Sequence, residues 1–438
     1  MANDVQRDRP IDPTRRLQRK LYRAAKQSRD RRFHALYDKV YRTDILWRAW
    51  QEVARNRGAA GVDDVSIEAI EDQGVEAFLA ELQEELAMGS YRPLPVRRET
   101  IPKRNGGERH LGVPATRDRV AQAATKLVIE PIFEADFADC SYGFRPKRSA
   151  LQAREHIRRE LQWGRRYVVD ADIKGFFDAI RWVDLLALVQ KRVSDRRVLK
   201  LLTGWLRAGV LTKEGLLHPE AGTPQGGVAS PLLANVYLNS LDQAWQACGR
   251  RYGEIVRYAD DLVVLCRTRR QAEAALQLLQ ELLGGLGLEL SAEKTRIVDC
   301  RSGADGFDFL GYHFRMRPSR RGRLFAACWP SRSAMAAARE RIRQLTPLNR
   351  IRFPTTVVVQ DINRFLRGWG GYFRHGNSTQ QFKHLDHYVF ERIAHLIARK
   401  HNSRTWRRGM VDLIKSRTTL GIYRLAGTVR HASAQASR

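Results

Sequence analysis

The stretch Ile255 to Cys266, IVRYADDLVVLC, constrains this chain more than any other. Two aliphatic runs, Ile255-Val256 and Leu262-Val263-Val264-Leu265, flank Tyr258-Ala259-Asp260-Asp261. Short β-branched runs on either side of small and acidic residues read as two strands joined by a tight turn, with the acids at the tip. Adjacent carboxylates between strands this apolar repel each other and are costly to desolvate unless a cation lies beside them. A solvated Asp-Asp turn is the simplest account of such a pair taken alone. A divalent metal is the alternative with chemical consequence: Mg²⁺ prefers oxygen, takes one or two carboxylates, and completes its shell with water and substrate phosphates.

A second acidic strand upstream strengthens the metal reading. Tyr167-Val168-Val169-Asp170-Ala171-Asp172-Ile173 alternates and leads into Lys174-Gly175-Phe176-Phe177-Asp178. A carboxylate at the end of a core strand supplies the other half of a metal site if this strand pairs beside the Asp260-Asp261 hairpin. Asp172 is better placed than Asp170, because it lies last before the turn.

Charge then points to a class of partner. Lys and Arg number 77 against 48 Asp and Glu, a formal net charge of +29. A chain this basic repels itself unless a polyanion neutralises it, and nucleic acid is the default polyanion. Nine Trp, thirteen Tyr and sixteen Phe are interleaved with the cations and can stack on bases. The five cysteines are scattered without a CxxC pair or a Cys/His zinc spacing, which argues against a disulfide framework and a structural metal. No apolar run approaches bilayer length. The Arg-rich first thirty residues carry Asp4, Asp8, Asp12 and Asp30 and no apolar core, unlike a signal or transit peptide. A soluble cytoplasmic protein without a membrane partner is expected.

Read in order, residues 1–30 look like a basic arm, disordered or helical only on an anion. Apolar spacing predicts helices from Phe33 to Val53 and from Val75 to Leu86, the latter stopped by Gly89. Residues 91–114 are rich in Pro and Gly, and a hairpin through Asn105-Gly106-Gly107 places Lys103 and Arg109 on opposite arms. Both then reach one polyphosphate, although a solvated basic hairpin explains the same residues. Further helices are expected at Arg119 to Phe133, Ala150 to Leu161, Asp184 to Leu202, Leu232 to Trp245 and Ala272 to Leu286. The glycine-rich loop Gly222 to Pro231 opens one of them and lets backbone approach a ligand closely. Lys294 is presented by a strand or turn, and Phe307 to Phe314 is an aromatic strand. A composition shift at Arg315 to Arg323 suggests a domain boundary, followed by helices at Ser333 to Leu345, Val357 to Trp369 and Leu385 to Arg399. Around Gly368, Gly370 and Gly371, the residues Arg364, Arg367, Trp369, Tyr372, Phe373, Arg374 and His375 mix cations with aromatics beyond what core packing requires.

Eight motifs in fixed order now resemble one family: IPKRNGGERHLGVP, SYGFRPKRS, VVDADIKGFFD, AGTPQGGVASPLLANVYL, RYADD, LELSAEKT, FDFLGYHF and LRGWGGYFRHGN. The chain resembles a bacterial group II intron-encoded reverse transcriptase, or maturase, from about Leu36 to about Arg408. The resemblance implies an α+β right-hand polymerase, with fingers and palm built on antiparallel sheet, followed by an α-helical thumb called domain X. The implied divisions are a basic arm and N-terminal fingers extension over 1–90, fingers and palm over 91–318, and thumb or domain X over 319–438.

Carried over residue by residue, the resemblance makes Asp172, Asp260 and Asp261 the catalytic metal ligands, with Ile173 beside Asp172 at the metals and the nucleotide. Lys103 and Arg109 match contacts to the incoming triphosphate. Gln225 and Gly226 resemble the segment packed against the nascent base pair. Phe177 matches the bulky gate against a ribose 2′-hydroxyl, and Lys294 the lysine that protonates departing pyrophosphate. The implied cofactor is a pair of Mg²⁺ ions, with Mn²⁺ as a substitute. Implied partners are group II intron RNA, an RNA template with a DNA or RNA primer, target DNA and deoxynucleoside triphosphates, in a cytoplasmic ribonucleoprotein particle, with a homodimer left open. The absence of a Cys/His endonuclease pattern after domain X resembles the endonuclease-lacking branch. Two other readings remain: an RNA-binding maturase without polymerisation, and a domesticated enzyme of DNA repair, antiphage defence or a CRISPR-linked system.

Overall fold

The structure, a computed structural model of the chain, describes residues 12–102, 107–223, 226–401, 410–411, 413 and 420–430. It mixes helices with sheets that are mostly antiparallel. The central sheet runs in the order Glu254–Tyr258, Asp261–Cys266, Tyr167–Asp172, Arg296–Asp299, every neighbour antiparallel.

Its inner strands are apolar on both sides because both sides are covered, which is why they read as runs rather than as strict alternation. Val169, Ala171, Ile255, Leu262 and Val264 join a core formed with helices Thr116–Glu134, Ser230–Ala244 and Arg269–Gly285. Val168, Val256, Val263, Leu265 and Val298 face a second core, shared with helix Ala150–Gln162, an aromatic sheet and the C-terminal helices. The sheet is thus the wall between two cores, and its acidic end is left at their rim.

A second sheet is built on Val96–Pro102, which pairs antiparallel with Glu108–Val113 and parallel with Val210–Thr212. The third is a meander of Phe307–Phe309, Tyr312–Pro318 and Leu324–Pro330. The aromatic stretch Phe307 to Phe314 is therefore two strands, broken where Leu310 and Gly311 adopt positive φ. The basic stretch Arg315 to Arg323 forms arm and turn of one hairpin, closed by Ser319 N–H to the Arg323 carbonyl at 2.8 Å.

Three further expectations are corrected. The N-terminal arm, read as a basic arm without a core of its own, holds the helix Pro13–Gln27, which docks on the body through an apolar face. Leu17, Leu21 and Ala25, spaced four apart on one face, are buried, and the Asp12 carboxylate accepts from Thr14 N–H to cap the helix. Surrounding arginines had masked that stripe; residues 1–11 lie outside the described residues. The helix expected over Phe33 to Val53 is broken into Tyr37–Val40 and Thr43–Arg55, with Phe33 bridging to Val193. The helix expected over Asp184 to Leu202 is likewise two, Trp182–Gln190 and Arg196–Arg207. Asp195 sets two helix starts: its carboxylate caps the second of these helices and also accepts from Leu36 and Tyr37 N–H, each at 2.8 Å, so the first helix begins at Tyr37 and not at Phe33.

The aromatics of the LRGWGGYFRHGN segment are packed inside. Trp369 meets Phe373 and Phe382, and Tyr372 meets Tyr312, with ring centroids 4.7, 5.7 and 5.3 Å apart. Core packing accounts for these rings, while Arg364 stays exposed.

Candidate active site

The two acidic strands are neighbours, and Asp172 lies directly across from Asp261 in their antiparallel register. The hairpin before Asp261 is as tight as its sequence predicts: Tyr258 pairs with Asp261, leaving Ala259 and Asp260 as the turn. Ala259 takes a left-handed φ of 57°, unusual for a residue with a Cβ.

Lys294 joins the acids through the main chain. Ser291 N–H donates to the Asp172 carbonyl at 2.8 Å, and Lys174 N–H to the Glu289 carbonyl at 2.9 Å. This zipper brings the Lys294 ammonium within 2.8 Å of Asp172 Oδ2. The hydrogen bond to Asp172 raises the Lys294 pKa above its ordinary value. Asp170 sits opposite Arg296, which donates to it at 3.3 Å; burial nonetheless pushes the Asp170 pKa up. The Asp261 carboxylate still reaches solvent, yet burial of the strand end and then the charges of Asp260, Asp172 and Asp170 push its pKa up to about 6.

The turn is braced by residues that sequence reading assigned no role. Arg257 is fully buried and donates to both Asp242 oxygens, at 2.8 and 2.5 Å, to Asn235 Oδ1 at 3.0 Å and to the Ala259 carbonyl at 2.9 Å. Asn235 in turn donates to the Gly143 carbonyl at 2.8 Å. Gly143 lies so close to the turn that a Cβ there would collide with Ala259 N. The only sequence signal for this brace was the presence of an arginine in an otherwise apolar strand.

The other expected residues distribute around this centre. The Ile173 side chain is buried in the first core, so only its main chain is available to the site. Phe177 follows on the short helix Phe176–Ala179, its ring against Phe176 at 5.2 Å, and its carbonyl accepts from Thr223 N–H at 2.8 Å. Gly226 has φ of 119° and abuts the Gly112 carbonyl where a Cβ would clash, so the glycine-rich loop bridges the second sheet and the Phe177 turn. Arg109 pairs with Ile101 in the expected hairpin. Lys103 and Gln225 lie outside the described residues.

Among the described residues, no three acidic, His or Cys side chains are gathered as a ready-made ligand cage. The donor set still fits Mg²⁺. Carboxylate oxygens from two strands crowd one sheet end, their mutual repulsion is visible at Asp261, and a hard cation that draws its remaining ligands from water and substrate phosphate would relieve it.

Residues 101–314 match the family described as reverse transcriptase (RNA-dependent DNA polymerase), and residues 335–412 match the group II intron, maturase-specific domain. The chain is 34% identical over 346 residues to Protein YkfC of Escherichia coli, covering 70% of this chain and 90% of that protein. It is 36% identical over 236 residues to the group II intron-encoded protein LtrA of Lactococcus lactis, covering 53% of this chain and 39% of that protein. Among solved structures, a chain of a partial Cas6-RT-Cas1–Cas2 complex matches with 25% identity over 60% of this chain and 43% of its own, at a TM-score of 0.36.

Proposed function

This chain belongs to the family of group II intron-encoded reverse transcriptases and maturases, and from that premise we propose that it is an RNA-directed DNA polymerase that also binds its intron RNA to assist splicing and retrotransposition. The observation that carries the reading is Asp172 facing Asp261, one residue past Asp260, at the open end of a sheet sealed elsewhere between two cores. In this reading residues 1–90 extend the fingers, 91–318 form fingers and palm, and 319–438 form the thumb or domain X.

The reaction joins a primer 3′-oxygen to the α-phosphorus of a deoxynucleoside triphosphate and releases pyrophosphate. Asp172, Asp260 and Asp261, with the main chain of Ile173, would hold two Mg²⁺ ions, which when bound supply activation of the hydroxyl and neutralisation of the leaving oxygen. Lys103 and Arg109 orient the triphosphate. Gln225 and Gly226 back the nascent base pair, and Phe177 excludes a ribose 2′-hydroxyl. Lys294 leaves Asp172 as substrate enters and gives its proton to the departing pyrophosphate; its side chain is largely exposed beside the site. The template is read by base pairing, so the protein contributes shape and phosphate contacts, in keeping with its +29 charge. Target DNA and intron RNA draw on the same charge. No helix among the described residues is long and apolar enough to cross a membrane, and we place the protein in a cytoplasmic ribonucleoprotein particle.

Primer extension on an RNA template with Mg²⁺ and deoxynucleotides tests this, with Asp260→Ala compared with wild type and RNA binding measured for both. Extension by the wild type that disappears in the variant, with binding kept, is the expected result. No extension by either, with tight and specific RNA binding, would leave a maturase that does not polymerise.

A further inference from the structure

Phe144 has a conformation and an environment that core packing does not explain. It lies in the loop between helices Thr116–Glu134 and Ala150–Gln162, is 53% exposed, and has φ of 53°. A left-handed backbone strains a bulky residue, and an exposed phenyl ring gains nothing from burial. Such outliers persist only where their surroundings over-determine them.

The surroundings do so on both sides. Gly143 is locked against Ala259 and takes the Asn235 hydrogen bond at 2.8 Å. Arg145 is buried, pairs with both Glu134 oxygens at 3.0 and 2.9 Å, and donates to the Ser141 carbonyl at 2.8 Å. Phe144 is held out between two pinned neighbours, its ring 6.3 Å from that of Tyr258. Tyr258 is in register with Asp261, and Asp261 with Asp172, so Phe144 stands at the outer end of a row that crosses the acids.

We propose that Phe144 contacts the 3′-terminal nucleotide of the primer strand, stacking on its base and sugar so that the hydroxyl lies over Asp260 and Asp261. This rests on the polymerase reading. In-line transfer puts the attacking hydroxyl and the leaving pyrophosphate on opposite sides of the α-phosphorus. Phe177, the expected gate at the nucleotide, follows the Asp172 strand and accepts from Thr223 N–H, whereas Phe144 borders the Tyr258 strand on the far side of Asp261. An exposed aromatic ring suits a nucleotide of any sequence, because every base has a π face.

The test compares wild type, Phe144→Gly and Phe144→Tyr. Glycine suits the left-handed φ, so the glycine variant should melt no lower than wild type. With 2-aminopurine at the primer 3′ end on an RNA template and no nucleotide added, the terminal base should fray and brighten in Phe144→Gly and stay dark in Phe144→Tyr. The primer-template KM should rise about tenfold in the glycine variant, with the nucleotide KM unchanged, in line with loss of one base–aromatic contact. An unchanged fluorescence and primer KM, or a glycine variant that melts well below wild type, would overturn the assignment. The fluorescence needs no catalysis, so failure of the polymerase reading is seen separately as a wild type that does not extend.

Discussion

The Lys294 ammonium lies 2.8 Å from Asp172 Oδ2, an ion pair joining residues 122 positions apart in the chain. One cation is thereby shared between holding a carboxylate in the free protein and, in the proposed reaction, delivering a proton. Replacing Lys294 with Gln should slow single-turnover extension by roughly a hundredfold or more, the usual share of a positioned general acid. The rate should also lose its decline at high pH. A Gln variant with wild-type rate and an unaltered pH profile would assign Lys294 to charge balance alone.

Asp261 should make metal-free stability depend on pH. Its pKa in the fold, about 6, lies above the ordinary 3.8, so protonation favours the fold. That contribution is complete below about pH 4 and lost as pH rises through about 6. Asp118, buried and also pushed up to about 6, acts in the same direction, so the comparison must be with Asp261→Asn. Without metal at about pH 7.5 the Asn variant should melt higher than wild type, the gap should narrow as pH falls through about 6, and it should close only below about pH 4. The gain should stay well under the roughly 1.4 kcal/mol per pKa unit of a sealed group, since solvent reaches Asp261. Mg²⁺ should raise the melting temperature of wild type and leave Asp261→Asn less affected.

The Arg257–Asp242 pair is fully buried on both sides. Arg257→Met or Asp242→Leu alone strands the other charge and should cost about 3–5 kcal/mol, whereas the double variant should regain much of it. Urea midpoints read this directly. The double variant should still extend poorly, because the Ala259 carbonyl loses its donor.

Phe177→Ala should raise the kcat/KM ratio of ribonucleotides over deoxynucleotides by roughly 10- to 100-fold, the range expected when a pocket wall is trimmed. Unchanged selectivity would remove Phe177 from the gate.

Much of the acidic centre was legible in the linear order. Val168-Val169 and Leu262 to Leu265 announce strands by β-branched content, and each run places an acid at an end that has to be a turn. Helix limits were legible where a local stop exists, as at Gly89, whose left-handed φ caps Val75–Met88. They were misjudged where the cap comes from far away, as with Asp195, which starts one helix in its own neighbourhood and fixes the start of another some 160 residues earlier.

The sequence by itself determined what can be read over a few residues: which runs are strands, where acids meet turns, and a net charge that demands a polyanion. Only the tertiary structure decided that Asp172 and Asp261 share a register, that Lys294 closes on Asp172, that Arg257 vanishes into the core to hold the turn, and that Phe144 is held out beside it. The physical reason is range. Strand propensity and capping are set by neighbours along the chain, whereas desolvated charges and strained side chains are held in place by partners that only the closed fold brings together.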